Sequence, residues 1–207
     1  IENKMNDFLN KILKTEGEDY VIASDTDSIY LHLGPLVDVI YKDKEKDSES
    51  IVSFIDTICE KTLEPFIDQS YRELAEYVNA YDQKMFMKRE NIADRGIWTA
   101  KKRYILNVWN SEGVQYHEPK LKMMGIEAIK SSTPEVCRDK FKEIFKVIMT
   151  QTESDTQRFI ANFKSEFSSL PPESVSFPRS VTNLFKWHDK DTIYKKATPI
   201  HVRGALM

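Results

Sequence analysis

Ile51, Ile55, Ile58, Thr62, Phe66, Ser70, Leu74 and Val78 lie three or four residues apart, the spacing that gathers side chains on one face of an α-helix. A helix this long needs a second layer to cover that face. Pro65 falls inside it and lacks the N–H that the helical ladder requires, so a kink or a split is expected there. The covering layer is readable on both sides of the helix. Tyr20-Val21-Ile22-Ala23 and Ser28-Ile29-Tyr30-Leu31-His32-Leu33 are rich in β-branched and aromatic residues, and only Ser24-Asp25-Thr26-Asp27 separates them, which predicts a hairpin with a polar tip. From Lys84 to Ile126 the chain carries Met85-Phe86-Met87, then Trp98 to Trp109, a turn at Asn110-Ser111-Glu112-Gly113, and a further run from Val114. That pattern predicts a three-stranded antiparallel sheet. Met5, Phe8, Leu9 and Ile12 mark an N-terminal helix over 3–13, ended by the polar turn Thr15 to Asp19. At Ser132-Thr133-Pro134-Glu135 a hydroxyl precedes proline at a helix start, and a second helix carrying Phe159, Ile160, Phe163 and Phe167 ends before Pro171-Pro172. The fold class is therefore α+β, with an antiparallel sheet, packed helices and a helical hairpin. Residues 171–207 show no period, and their structure is expected to depend on sequence outside this chain.

With 207 residues, 41% of them hydrophobic, the chain can bury one or two cores, which excludes disorder as its default state. Cys59 and Cys137 stand far apart without nearby histidines, which argues against a zinc ribbon or a disulfide framework and fits a reducing compartment. No apolar run reaches the length of a membrane span, and IENKMNDFLNK has no signal-peptide core. The first residue is Ile, which suggests a cleaved product or a partial reading frame. Residues 42–49, KDKEKDSE, read as a solvated charged loop.

Asp25-Thr26-Asp27-Ser28 is the first constellation with chemical content. Two carboxylates one residue apart at a bend can converge on a hard divalent cation, and without one each raises the proton affinity of the other. A solvated Asp-rich turn explains the same letters, because aspartate hydrogen-bonds its own backbone in turns. Apolar residues running into Asp-x-Asp also resemble the nucleophile loop of haloacid-dehalogenase-like phosphatases. That fold needs βαβ units after the loop, whereas Ile29 to Leu33 turns straight into another strand. Nucleotidyl transfer assisted by metal ions is the remaining reading, and it requires a third carboxylate.

The net charge is only −3, yet residues 84–130 hold ten basic against five acidic side chains. Trp98-Thr99-Ala100-Lys101-Lys102-Arg103-Tyr104 reads as strand, with alternation sending Lys102 to one face and Lys101 and Arg103 to the other. Cations there could bind phosphates or the minor-groove acceptors common to every base pair. An exposed basic edge that discourages strand aggregation would look the same. Lys130-Ser131-Ser132-Thr133 precedes a helix start, where hydroxyls and free N–H groups are expected both to cap the helix and to hold phosphate.

Taken in order, these segments resemble the family B DNA polymerases of T4-like bacteriophages: Asp25-Thr26-Asp27-Ser28, the long helix, Met85-Phe86-Met87-Lys88-Arg89-Glu90, Lys101-Lys102-Arg103-Tyr104, Glu118-Pro119-Lys120-Leu121-Lys122-Met123-Met124-Gly125 and Lys130-Ser131-Ser132. The resemblance covers nearly the whole chain. It implies that residues 1–130 are the C-terminal part of a polymerase palm and 131–207 a partial thumb. It further implies that Asp27 and Asp25 bind two Mg²⁺ ions together with an aspartate from elsewhere, and that Glu90 lies near the metals and tunes them. Lys102 would approach the primer terminus, with Lys101, Arg103, Tyr104, Lys130 and Ser131 on the primer–template duplex. The implied substrate is a deoxynucleoside triphosphate, the implied setting the cytoplasm of an infected bacterium, with no membrane. Ala23-Ser24 replaces the family's usual Tyr-Gly before the acidic pair, Lys88 stands where phage relatives carry Asp, and the loop from Glu90 to Trp98 is shortened. The family's motifs A and B are absent, so the chain is expected to be inactive without a polymerase segment that carries them. A non-catalytic DNA-binding or scaffold piece is the rival expectation.

Overall fold

The computed structural model describes residues 1–42, 47–187 and 198–207. They form two compact units, Ile1–Met124 and Gly125–Met207, each described separately below.

In the first unit, α1 (Glu2–Leu13) ends at Lys14 in a left-handed conformation. Asn6 on this helix accepts hydrogen bonds from the backbone N–H groups of Tyr20 and Val21, both at 2.9 Å, and so fixes where the next strand begins. The strands β1 (Val21–Asp25) and β2 (Ser28–Leu31) pair antiparallel as expected. A short helix, α2 (Gly34–Ile40), follows with Pro35 in its first turn. The sequence reading contained no such element, although proline one residue into a helix is a start signal. Asp47, from the charged loop, caps α3 (Ser48–Ile58) by accepting from the Ser50 N–H at 2.9 Å; positions 43–46 of that loop lie outside the described residues.

The helix does split near Pro65. A π-helical turn, Cys59–Leu63, joins α3 to α4 (Glu64–Tyr77). The Glu64 N–H donates five residues back, to the Cys59 carbonyl, which loosens the turn where a proline ring would otherwise press on the carbonyl of Lys61. The turn also moves the apolar face. Val52, Ile55, Cys59, Leu63, Ile67 and Ser70 are the buried positions, so the periodicity marked a stripe offset from the one actually used. They pack with Met5, Leu9, Tyr20, Val21 and Ile92 into one core.

The second sheet has the order β3-β4-β5, with β3 (Asn91–Ala100), β4 (Arg103–Ser111) and β5 (Val114–Met124) antiparallel throughout. Two sequence expectations need correction. Met85-Phe86-Met87 lies before the first strand in irregular backbone, because Gln83 ties the Met85 backbone into a local loop. Lys101 and Lys102 are not strand residues; they form a two-residue turn between Ala100 and Arg103, so side-chain alternation does not sort them onto two faces. Gly96 has a steric reason to be glycine: a Cβ there would come within 2.6 Å of the Trp98 ring.

In the second unit a 3₁₀ turn, Glu127–Ile129, precedes α5 (Glu135–Thr150) and α6 (Glu153–Ser169), the predicted helical hairpin. Pro134 occupies the cap position of α5 and no side chain caps it, so the hydroxyl expected to do so does not; Thr133 is buried and its N–H bonds to the Lys130 carbonyl instead. Thr152 and Asp155 make a reciprocal capping box on α6. Short helices α7 (Pro172–Val175) and α8 (Ile200–Leu206) and a 3₁₀ turn, Leu184–Trp187, occupy the tail, and residues 188–197 lie outside the described residues. Among the described residues no helix is long and apolar enough to cross a membrane.

Candidate functional site

Asp25 and Asp27 sit at the tip of the β1–β2 hairpin, where Asp25 pairs with Ser28 and only Thr26 and Asp27 intervene. The Asp27 N–H donates to the Asp25 carbonyl at 2.7 Å, and Thr26 between them has φ 55°. A three-residue hydrogen-bonded turn with positive φ at its centre is the rarer, strained hand of the γ-turn, and a β-branched residue is poorly suited to it. The Ser28 hydroxyl adds a second bond to the same carbonyl at 3.1 Å. The bend is thus held rigidly enough to keep both carboxylates on one short stretch of backbone.

The lysine turn of the second sheet meets this bend. Lys102, with φ 60°, places its Nζ 3.2 Å from Asp25 Oδ1. That ammonium, followed by the Thr26 hydroxyl, keeps the Asp25 carboxyl below the ordinary carboxylate value of 3.8. The approach depends on packing behind the tips. Tyr30 of β2 makes edge contacts with Trp98 and Tyr104, ring centroids 5.4 Å away in each case, and these rings cover Leu106 and Val108. Burial first, and then the Tyr104 hydroxyl, push the Tyr30 phenol up to about 12. The three rings therefore stay neutral and act as a clamp between the two hairpins.

The other residues singled out in the sequence fall in several places. Lys101 is exposed beside Lys102, Arg103 is half-buried, and Tyr104 is buried in the clamp. Glu90 is engaged by Lys122 at 2.6 Å, which lowers its carboxyl, and it forms no three-carboxylate group with Asp25 and Asp27. Lys130 and Ser131 belong to the second unit, where Lys130 pairs with Glu127 at 3.1 Å and Ser131 is exposed in a turn. Arg89 had no role in the sequence reading beyond its place in a motif. Only 13% of its side chain is exposed; it pairs with Asp56 and donates to Asn110 Oδ1 at 2.9 Å, while its backbone N–H donates to Glu64. Arg89 thereby ties the long helix to the entrance of β3, and a cleft of about 610 Å³ beside it is lined by these same partners.

The donor set fits a hard divalent cation. Among the described residues nothing pairs with the Asp27 carboxylate, and both groups offer the oxygen ligands that Mg²⁺ prefers. They are only part of a shell: among the described residues no group of three or more His, Cys, Asp or Glu is placed to hold a metal.

Over 214 aligned residues, all of this chain, the sequence is 39% identical to the DNA-directed DNA polymerase of Escherichia phage RB69 and 35% identical to that of Enterobacteria phage T4. The chain is homologous to one segment of the T4-type phage DNA polymerases. It spans 24% of the length of each of these relatives. No family model matches it. The resemblance carried by the motifs thus extends from end to end, and in this polymerase segment the acidic pair and the lysine turn occur together in space. The antiparallel hairpin after the acids also lacks the βαβ arrangement that the phosphatase alternative needs.

Proposed function

We propose that this chain supplies the second acidic motif and part of the duplex grip of a template-directed DNA polymerase. Residues 1–130 would form the C-terminal part of the palm and 131–207 part of the thumb, acting in the cytoplasm of an infected bacterium. The reading is carried by one observation: the Asp25–Asp27 bend lies in ion-pair contact with Lys102 at the tip of a basic hairpin.

In this reading Asp27 and Asp25, with an aspartate contributed by another segment, hold two Mg²⁺ ions. When bound, these activate the primer 3′-hydroxyl toward the α-phosphate of a deoxynucleoside triphosphate and stabilise the departing pyrophosphate. The chain's own part is positional. The γ-turn fixes the two carboxylates, and the clamp of Tyr30, Trp98 and Tyr104 fixes Lys102 beside them. Lys102 balances Asp25 and offers its remaining N–H donors to the minor-groove edge of the primer terminus, as Lys101, Arg103, Lys130 and Ser131 contact the backbone. Glu90, held by Lys122, tunes the site from a distance. The segment is inactive without the remainder of the polymerase.

Primer extension tests this. Synthesis is expected only when the chain is mixed with a polypeptide carrying the two missing motifs, and Asp27→Asn should reduce it at least about 100-fold. Absence of synthesis in the mixture favours the non-catalytic scaffold. Lys102→Ala should weaken primer–template binding to a similar extent on every sequence, and a loss confined to one sequence contradicts this role.

A further inference from the structure

The buried face of α4 does not stop where the core stops. Ile67 and Ser70 face the interior, and the same helical spacing continues through Leu74, Tyr77 and Val78, with Tyr81 just beyond the helix. These last four are exposed: Tyr77 at 87%, Tyr81 completely, Leu74 and Val78 by about half. The helix is closed in an orderly way at this end. Asn79 has φ 51° and the Ala80 N–H returns to the Ala75 carbonyl at 2.8 Å, so the aromatic groups are displayed on a capped helix end and not on a frayed one. Phe86, a few residues on, is also exposed before the chain is anchored again at Arg89. A continuous apolar stripe leaving a core is surface that another layer would cover, and tyrosines are well suited to such contacts.

We propose that the stripe Leu74, Tyr77, Val78 and Tyr81 is the seat on which the rest of the polymerase packs, an inference that rests on the polymerase reading above. The occupant is the part that the two phage relatives carry outside the matched segment, about three quarters of their length. In those relatives the homologous segment is covalently joined to that larger part, which presents any matching surface at high effective concentration. The core of the first unit would continue through the stripe into the neighbouring layer.

Nitration by tetranitromethane, read by peptide mass spectrometry, compares this chain alone with RB69 polymerase in which it replaces the matched segment. Tyr77 and Tyr81 are expected to react readily in the free chain and at least ten-fold more slowly in the chimera. The Tyr77→Glu/Tyr81→Glu pair should leave the melting temperature of the free chain unchanged and lower that of the chimera. Equal reactivity in the two settings, or an unshifted chimera, overturns the seat. Protection already present in the free chain also overturns it, as the chain then covers its own stripe. Self-association in sedimentation velocity that the double substitution abolishes identifies a second copy as the occupant and overturns it as well. Primer extension by the chimera reports separately on the polymerase reading: an active chimera with reactive tyrosines sinks the seat and spares that reading, and an inactive one with protected tyrosines does the reverse.

Discussion

The turn between β4 and β5 and the two tips that meet at Asp25 and Lys102 answer one geometric problem in opposite ways. Glu112 and Gly113 have φ 51° and 88°, the pair of positive angles that suits the twist of a tight hairpin. Glycine takes the more extreme of them, with nothing within 4 Å of where its Cβ would lie. At the other tips the positive angle falls on Thr26 and on Lys102, at 55° and 60°, where a side chain makes that conformation costly. Glycine would relax both, but it would also delete the ammonium beside Asp25 and loosen the backbone between the two acids. Strain collects where charge is concentrated, and glycine serves where the chain merely reverses.

The largest expected effect tests what holds the charged tips together. Tyr30→Ala should cost about 2 kcal/mol in urea unfolding, because a half-buried ring leaves a gap under Trp98 and Tyr104. The Asp25 midpoint should also rise toward 3.8; an unmoved midpoint would show that the tips meet without the clamp. Next comes the contrast between turns. Gly113→Val should cost about 1–2 kcal/mol through backbone conformation alone, whereas Thr26→Gly should gain about 0.5 kcal/mol once relief of strain is set against the added freedom of the unfolded chain. Losses of equal size at both positions would erase the distinction.

The smallest effect concerns the ion pair itself. Lys102→Ala should change stability by no more than about 0.5 kcal/mol, since the lysine is largely exposed. Its signature is in the titration. The native Asp25 value is depressed, so whatever stability the pair contributes is complete above the unfolded value near 3.8 and is lost as pH falls through the lower native one. The variant should lose that dependence, with the carboxyl carbon resonance of Asp25 returning toward the ordinary range.

Much of this architecture was legible in the residues. The acidic hairpin, the split at Pro65, a three-stranded sheet and the helical hairpin each follow from period, breaker and cap. The misses have local causes. Lys101-Lys102 gave no turn signal because neither residue is a habitual turn former, and only the pairing of Ala100 with Arg103 shows the reversal. Met85 and Phe86 have the composition of a strand, but the Gln83 loop withholds them from the ladder. Pro134 took the cap position expected of a hydroxyl. At the site, the letters gave the acids and the lysines; their contact depends on Tyr30, whose neighbours Trp98 and Tyr104 are distant in sequence and carry no motif.

The π turn at Cys59–Leu63 sets the rotational phase of everything after it. Deleting one residue there would allow an ordinary helix, but α4 would arrive turned by about 100°. Ile67 would swing out of the interior, and Glu64 would leave the Arg89 backbone N–H it now receives at 2.9 Å. A single extra residue in a helix thus acts as a dial for the whole unit, and the entry of β3 is aligned to its present setting.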